Sequence, residues 1–507
     1  MIRTARIIES LYYFEPELVL VLFGLVIIIF DLIKSNISRK IVPLLSVTAL
    51  VLSTYLVIKD LNMQSVYLFN EMICTDSFSR FFKIIILSGA AFVIVSLIES
   101  REIESMSNPE VYALLLFMTV GMMLMVSSVH WIMIVLSIEL TGISAYILTG
   151  FMRKNTLSGE AAYKYVFYGA SATSISLYGI SLLYGIGRNL NIYEMGVEFH
   201  KIFDAGGASN YSIAIFLGFI FVLAGLGYKI SMVPVHLWTP DVYEGAATPI
   251  TGLLAVCSKT AGFGVFIRVL FAAFPLSKDF IHSASFVDAV KPGLLIALIS
   301  LLTMTWGNLA ALGQKNIKRL LAYSSIAHAG YMLLGVSCLN REGLNAVLMY
   351  LVVYLFMNLG AFVGLAALAS KTGSENIDDF KGIGKYYPVM GVFFSICLFS
   401  LIGLPPFAGY VGKFYIFIAL LHQKTILGYL LGFIAVINTV ISLCYYIIIV
   451  KAMFIDNSEK EIKITEPITK LQMYAMGLLT IPVIILGIWW EPLVEFARLS
   501  LHFITII

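Results

Sequence analysis

The sequence predicts an all-α, polytopic membrane protein of about 14 transmembrane helices, and three observations lead there. Hydrophobic residues make up 60% of the 507 positions and charged residues only 12%, about half the charged share of an ordinary soluble domain. Apolar runs of spanning length recur from one end of the chain to the other. No stretch shows the ten-residue alternation of barrel strands, so helices are left as the elements that satisfy their own backbone in lipid. A water-soluble fold is excluded. A net charge of +3 without a dense Lys/Arg tract argues against nucleic acid as a partner and for partners in or beside the lipid bilayer.

A spanning helix takes about 20 predominantly apolar residues. Runs near 17–33, 41–58, 77–98, 110–127, 130–150 and 161–186 meet that requirement before a polar stretch around His200. Further runs lie near 211–234, 247–273, 292–312, 319–338, 342–370, 386–425, 427–454 and 467–490, the 386–425 run being too long for one straight helix. Arg3 and Arg6 are followed by Glu9, Glu15, Pro16 and Glu17 with no small-residue cleavage site, so the first span is expected to be retained. Loops after odd-numbered spans, such as those holding Arg153 and Lys154 or Lys315, Lys318 and Arg319, carry more positive charge and are expected in the cytoplasm. Cys74, Cys257, Cys338, Cys397 and Cys444 are scattered, without Cys-x-x-Cys or Cys/His spacing, and read as small apolar residues packed between helices rather than metal ligands.

Two internal echoes point to a repeat. Ser137-Ile138-x-x-x-Gly142 in the fifth span recurs as Ser325-Ile326-x-x-x-Gly330 in the tenth, and the seventh and twelfth spans are both interrupted by proline, at Pro234 and at Pro405-Pro406. Each echo is five spans from its partner. Five is odd, so the copies would run in opposite orientation, with functional charge near their interface.

Ionisable residues at bilayer depth are the chemical signal. Glu139 lies about ten residues from either end of its run, too deep for its short side chain to reach water. A charge at that depth costs about 2.5–3.5 kcal/mol on insertion scales, so a partner, a cavity or a function must offset it. Lys229 precedes Pro234 by five residues, where a missing amide donor opens the helix. Lys259 has no acid nearby in sequence, and Lys413 follows the Pro405-Pro406 break by about eight residues. One acid and three lysines can hold protons in turn, and an ion pair between Glu139 and Lys229 would keep Lys229 charged until it opened. His328 and His236 are candidate relays because imidazole titrates near neutrality. His130 sits at a span end, Arg268 is expected to snorkel to the surface, and Asp241 and Glu244 read as loop structure or a channel mouth.

The stretch GYKISMVPVHLWTPDVYEGAATPITGLLAVCSK, with GNLAALGQKNIKRLLAYSSIAHAGYMLLG, YLFMNLGAF and SLIGLPPFAGYVGKFYIF, resembles the antiporter-like membrane subunits of NADH-quinone oxidoreductase (respiratory complex I, NDH-1), most of all the subunit N (chain 2) family. The resemblance covers nearly the whole chain. It implies two inverted five-helix repeats in a non-redox subunit of a translocase, moving protons while other subunits oxidise NADH and reduce quinone. It divides the chain into helices 1–3 (1–109), a first repeat (110–273), a second (292–454) and a last helix with its tail (455–507). The family's proton-transfer glutamate and lysines fall on Glu139, Lys229, Lys259 and Lys413. No cofactor is expected on this chain; NADH, FMN, iron-sulfur clusters and quinone would belong to other subunits. The expected location is the bacterial inner membrane, ahead of the thylakoid. The alternative reading is a Na+/H+ antiporter or membrane-bound hydrogenase subunit of the same superfamily.

Overall fold

The computed structural model describes residues 3–33, 41–61, 63–100, 102, 109–204, 208–274, 291–457 and 467–501. The chain is an all-α polytopic membrane protein. Its principal helices are α1 (Glu15–Ile33), α2 (Ile41–Lys59), α3 (Ser77–Ile98), α4 (Pro109–Ser127), α5 (Trp131–Thr149), α6 (Thr156–Gly187), α7 (Ala208–Lys229) and α8 (Thr248–Ala273). They continue with α9 (Pro292–Leu312), α10 (Ile317–Ser337), α11 (Arg341–Thr372), α12 (Pro388–Ile402), α13 (Ala408–His422), α14 (Ile426–Phe454) and α15 (Lys470–Ile488). Among the described residues, eleven helices are long and apolar enough to cross a membrane. A twelfth span arises if Ile7–Tyr13 and α1, bent by 77°, count as one. Ile213–Lys229, α12 and α13 are shorter apolar helices. Beside the helices lies one small sheet, in which Arg3–Thr4 runs parallel to Val66–Leu68 and the latter pairs antiparallel with Ile73–Thr75.

Local chemistry explains the helix ends. Asp76 and Thr469 form capping boxes with Ser79 and Gln472, and Asn155, Asn316, Asn340 and Thr425 each accept from an amide of the first turn, satisfying donors that a helix start leaves free. The two proline interruptions break the backbone at places the prolines alone do not mark. α7 stops at Lys229, five residues before Pro234, because Ser231 adopts φ 62° and the Ser231 and Met232 amides fold back onto Tyr228 and Gly227 carbonyls. The chain resumes as a short helix, Trp238–Gly245. α12 ends at Gly403, whose φ of +90° a residue with a side chain would adopt only under strain. Pro405 and Pro406 then offer no amide, and α13 starts at Ala408.

The core is built from α8, α10 and α11. The most apolar stretch of α8 is buried throughout, whereas α5, α6, α9 and α14 present rows such as Ile132, Leu136, Ile143 and Ile147 outward, as helices facing lipid or a neighbour do. A π turn at Leu254–Ser258 interrupts α8 immediately before Lys259; such turns concentrate at functional positions. The packing has an internal parallel. α4 rests on α5 and α8 as α9 rests on α10 and α14, and α6 packs on α7 as α11 packs on both α12 and α13.

The α9–α10 contact is close because glycines lie on both sides of it. A Cβ at Gly330 would stand 2.5 Å from the Met304 amide nitrogen, and one at Gly307 would stand 2.6 Å from that of Ala327. Gly330→Ala is therefore expected to destabilise the protein by about 1–3 kcal/mol, seen as a lower melting temperature in detergent. Gly313→Ala, where a Cβ meets nothing within 4 Å, should leave melting unchanged.

Candidate functional site: a buried line of lysines, histidine and hydroxyls

Lys259, His328 and Lys413 are gathered around α10. Lys259 Nζ donates to the Ser325 carbonyl at 2.8 Å and to Ser325 Oγ, and Tyr354 of α11 donates to the same Oγ at 2.9 Å. One turn further along α10, the His328 ring lies between two phenols. Nδ1 is 2.6 Å from the Tyr350 hydroxyl and Nε2 is 3.3 Å from that of Tyr446, which in turn bonds Ser324 Oγ. Neutral imidazole has one donor and one acceptor nitrogen, so one phenol donates to the ring while the other accepts from it.

Lys413 shows what the α12–α13 break is for. Its ammonium donates to the Leu401 and Ile402 carbonyls at 3.2 and 2.8 Å, carbonyls left free where α12 ends. It also lies 4.5 Å from the centroid of the Tyr331 ring. A cation at a helix C-terminus and over an aromatic face is held by the helix dipole and by the ring quadrupole. His328 lies within electrostatic reach of both Lys259 and Lys413.

Lys229 and Glu139 form the other arm. Lys229, at the end of α7, is buried and packs its Cβ beside Gly262 of α8, one turn from Lys259. Its Nζ has no hydrogen-bond partner among the described residues. Glu139 accepts from Thr173 Oγ1 of α6 at 2.6 Å and is half-buried on the outer face of α5. The expected Glu139–Lys229 ion pair is thus not closed: the two interact electrostatically but do not touch, because the Lys229 backbone turns toward α8 while Glu139 faces α6. Between them, the hydroxyls of Tyr146 and Tyr228 meet beside Gly169, where a Cβ would collide with Tyr146.

Other candidates fall elsewhere. His236 packs edge-on against Trp306 at 6.0 Å and is not brought into the line. Asp241 and Glu244 sit on the Trp238–Gly245 helix rather than a loop, paired with Arg319 at 2.8 and 2.6 Å, and Asp241 also binds Lys164 at 2.6 Å. Glu244 lines a cavity of about 560 Å³ with Glu102, Lys318, Asn316 and Glu375, the kind of polar mouth the sequence allowed. Arg268 does not snorkel. It is fully buried and forks onto both Asp76 oxygens at 2.8 and 2.9 Å, with Val126 O and Tyr193 Oη as further acceptors. Sequence reading missed this pair because its members are 192 positions apart. It also missed Ser325, Tyr350, Tyr354 and Tyr446, since a membrane-helix hydroxyl carries no signal of depth or direction. Among the described residues no set of His, Cys, Asp or Glu could hold a metal ion.

An all-α membrane fold with buried lysines and a histidine strung between two broken helices defines a class of ion-translocating membrane subunits. The chain belongs to the family described as NADH:quinone oxidoreductase/Mrp antiporter, transmembrane, whose profile matches residues 128–442. It is 38% identical to NADH-quinone oxidoreductase subunit N of Anaeromyxobacter sp., covering 98% of this chain and 97% of that one. Identity to subunit N of Chlorobium chlorochromatii is 39%, over 98% and 96% of the two chains. Among solved structures, a chain of respiratory complex I from Thermus thermophilus with bound aureothin superposes with a TM-score of 0.77 at 26% identity, covering 95% of this chain and 99% of that one. A chain of the Mrp complex from Dietzia sp. gives 0.79 at 18% identity, covering 97% of each, a likeness of fold.

Removing one member of a buried ion pair leaves the other charge unpaired at a cost of about 3–5 kcal/mol, whereas replacing both is milder. Arg268→Met is therefore expected to lower the amount of assembled protein in membranes, and the double variant Arg268→Met with Asp76→Asn to recover part of it.

Proposed function

We infer that this chain is a proton-translocating, non-redox membrane subunit of NADH:quinone oxidoreductase, coupling electron transfer in other subunits to proton movement through its own buried groups. Its partners are the other membrane subunits of that complex. The observation that supports the site assignment is the gathering of Lys259 with Ser325, His328 with its two phenols, and Lys413 around α10 in the core, Lys259 beside a π turn and Lys413 beside a helix break. An interior lysine, desolvated on most sides, holds or releases its proton according to the charge nearby. Lys229 is set to respond in this way, because among the described residues it has no bonded acid and it feels Glu139 across a gap. Movement of Glu139 toward it would favour the ammonium, and retreat would release the proton toward Lys259. We assign Glu139, Lys229, Lys259 and Lys413 to proton transfer and His328 to relay, and leave His236 outside.

The same reading takes the fold as 14 spans, adding Ile213–Lys229 and counting α12 with α13 as one broken span. It divides the chain into helices 1–3 (1–109), inverted repeats over 110–273 and 292–454, and a last helix with its tail (455–507). Residues 458–466 and 502–507 of that tail lie outside the described residues. Matching packing of α4 on α5 and α8 with α9 on α10 and α14 supports the repeat, as do the two breaks, each followed by a new helix. NADH, FMN, iron-sulfur clusters and quinone are assigned to sister subunits, and the membrane to the bacterial inner membrane. The antiporter and hydrogenase alternative shares the fold; relatives named subunit N over nearly the full length of both chains favour the oxidoreductase.

In inverted vesicles containing the assembled complex, Glu139→Gln, Lys229→Ala, Lys259→Ala and Lys413→Ala are each expected to cut proton pumping per NADH oxidised by about tenfold or more. Pumping that persists in all four variants at normal complex abundance would eliminate this site and favour a scaffolding role.

A further inference from the structure

Resting on the site assigned above, we propose that Tyr446 and Tyr350 are the proton-relay residues on the two sides of His328, so that a proton taken up at one ring nitrogen is matched by one released from the other. Three observations converge on this. Each ring nitrogen has its own phenol, Nε2 at 3.3 Å from Tyr446 and Nδ1 at 2.6 Å from Tyr350. All three side chains are buried, so bulk water does not take the place of either hydroxyl. The phenols also reach different helices, although both couple electrostatically to Tyr354 and to Tyr331, over whose ring Lys413 lies. Tyr446 bonds Ser324 and interacts electrostatically with Tyr354, the residue that shares Ser325 with Lys259. Tyr350 lies against α13 where a Cβ on Gly412 would touch its ring at 2.2 Å, one residue before Lys413.

A phenol is both donor and acceptor, so it passes a proton on without holding a charge. Written from Lys259 to Lys413, the Lys259 ammonium gives a proton to Ser325; the Tyr354 hydroxyl, which donates to Ser325 Oγ in the structure, first turns to accept, and the Ser325 and Tyr354 hydroxyls then each hand one on. Tyr446 gives its proton to Nε2 as it takes one from the Tyr354 side. The Nδ1 proton leaves to Tyr350 oxygen, and the Tyr350 proton passes to the neutral Lys413 amine. Every hydroxyl regains what it loses, the histidine exchanges one tautomer for the other, and the net change is one proton moved from Lys259 to Lys413. The steps from Tyr354 to Tyr446 and from Tyr350 to Lys413 have no direct hydrogen bond, so a water or a small side-chain movement must complete them, and these two steps are where transfer can be gated.

The test uses the assembled complex in inverted vesicles. Tyr350→Phe and Tyr446→Phe keep the rings and remove the hydroxyls. Each is expected to lower protons pumped per NADH oxidised by about fivefold or more with complex abundance unchanged, while Tyr112→Phe, a buried α4 tyrosine away from the line, keeps pumping. A smaller fall in either variant overturns the assignment. Fluorotyrosine at 350 and 446 retains the hydroxyl and alters its acidity, so pumping that tracks ring acidity supports relay and pumping that ignores it overturns relay, even where phenylalanine blocks assembly. Lys259→Ala and Lys413→Ala run in parallel separate the two levels. Pumping lost in these and kept in the tyrosine variants removes the phenols from the path, and pumping kept in all of them removes the path itself.

Discussion

A backbone amide or carbonyl left without a partner in hydrocarbon costs several kcal/mol, and the rest of this structure follows from where the chain is allowed to incur that cost. At both breaks polar groups of the backbone find partners within the protein, although Pro234, Pro405 and Pro406 themselves are exposed. At the α7 break, the Val233 amide donates to Thr303 Oγ1 of α9 at 3.1 Å, and Thr239 bonds Ser231. At the α12 break, Gly487 of α15 admits the Pro406 carbonyl so closely that a Cβ would stand 1.9 Å from it. The break then yields free carbonyls, and Lys413 takes two of them. An unsatisfied helix end and a buried cation are each costly in lipid; together they satisfy one another.

The same constraint accounts for the contrast between charges locked in ion pairs and charges that are not. Arg268 is saturated by Asp76, Val126 and Tyr193, and Lys83 meets Glu17 at 2.7 Å with both buried. The Arg268–Asp76 pair, so saturated, has little reason to change state, whereas Glu17 Oε2 has no hydrogen-bond partner among the described residues. Lys229 has no bonded partner among the described residues, Lys259 rests on a serine, and Lys413 rests on carbonyls. None of these three is locked to a carboxylate, so a neighbouring charge can shift its proton affinity, which is the property a transfer site requires.

Glu139 belongs at the edge of this system. It is half-buried on the outward face of α5, among Leu136, Leu140 and Ile143, and it accepts a hydrogen bond from Thr173. A carboxylate among lipid-facing side chains is costly, so cover from an adjacent membrane subunit suits it.

Much of this was legible in the sequence. Composition and run length, with the barrel alternation missing, dictate helices as the elements that satisfy their own backbone in a bilayer, and the depth of Glu139, Lys229, Lys259 and Lys413 in apolar runs marks them as costly. Proline marked both broken spans to within a few residues. What the sequence could not carry was direction. Whether Arg268 reached water or Asp76, whether Lys229 closed on Glu139, and which tyrosines among 27 faced His328 depend on how helices rotate against one another. Those rotations are set by close glycine contacts and by carbonyls freed at breaks, between residues far apart in the chain, and so only the tertiary structure decided them.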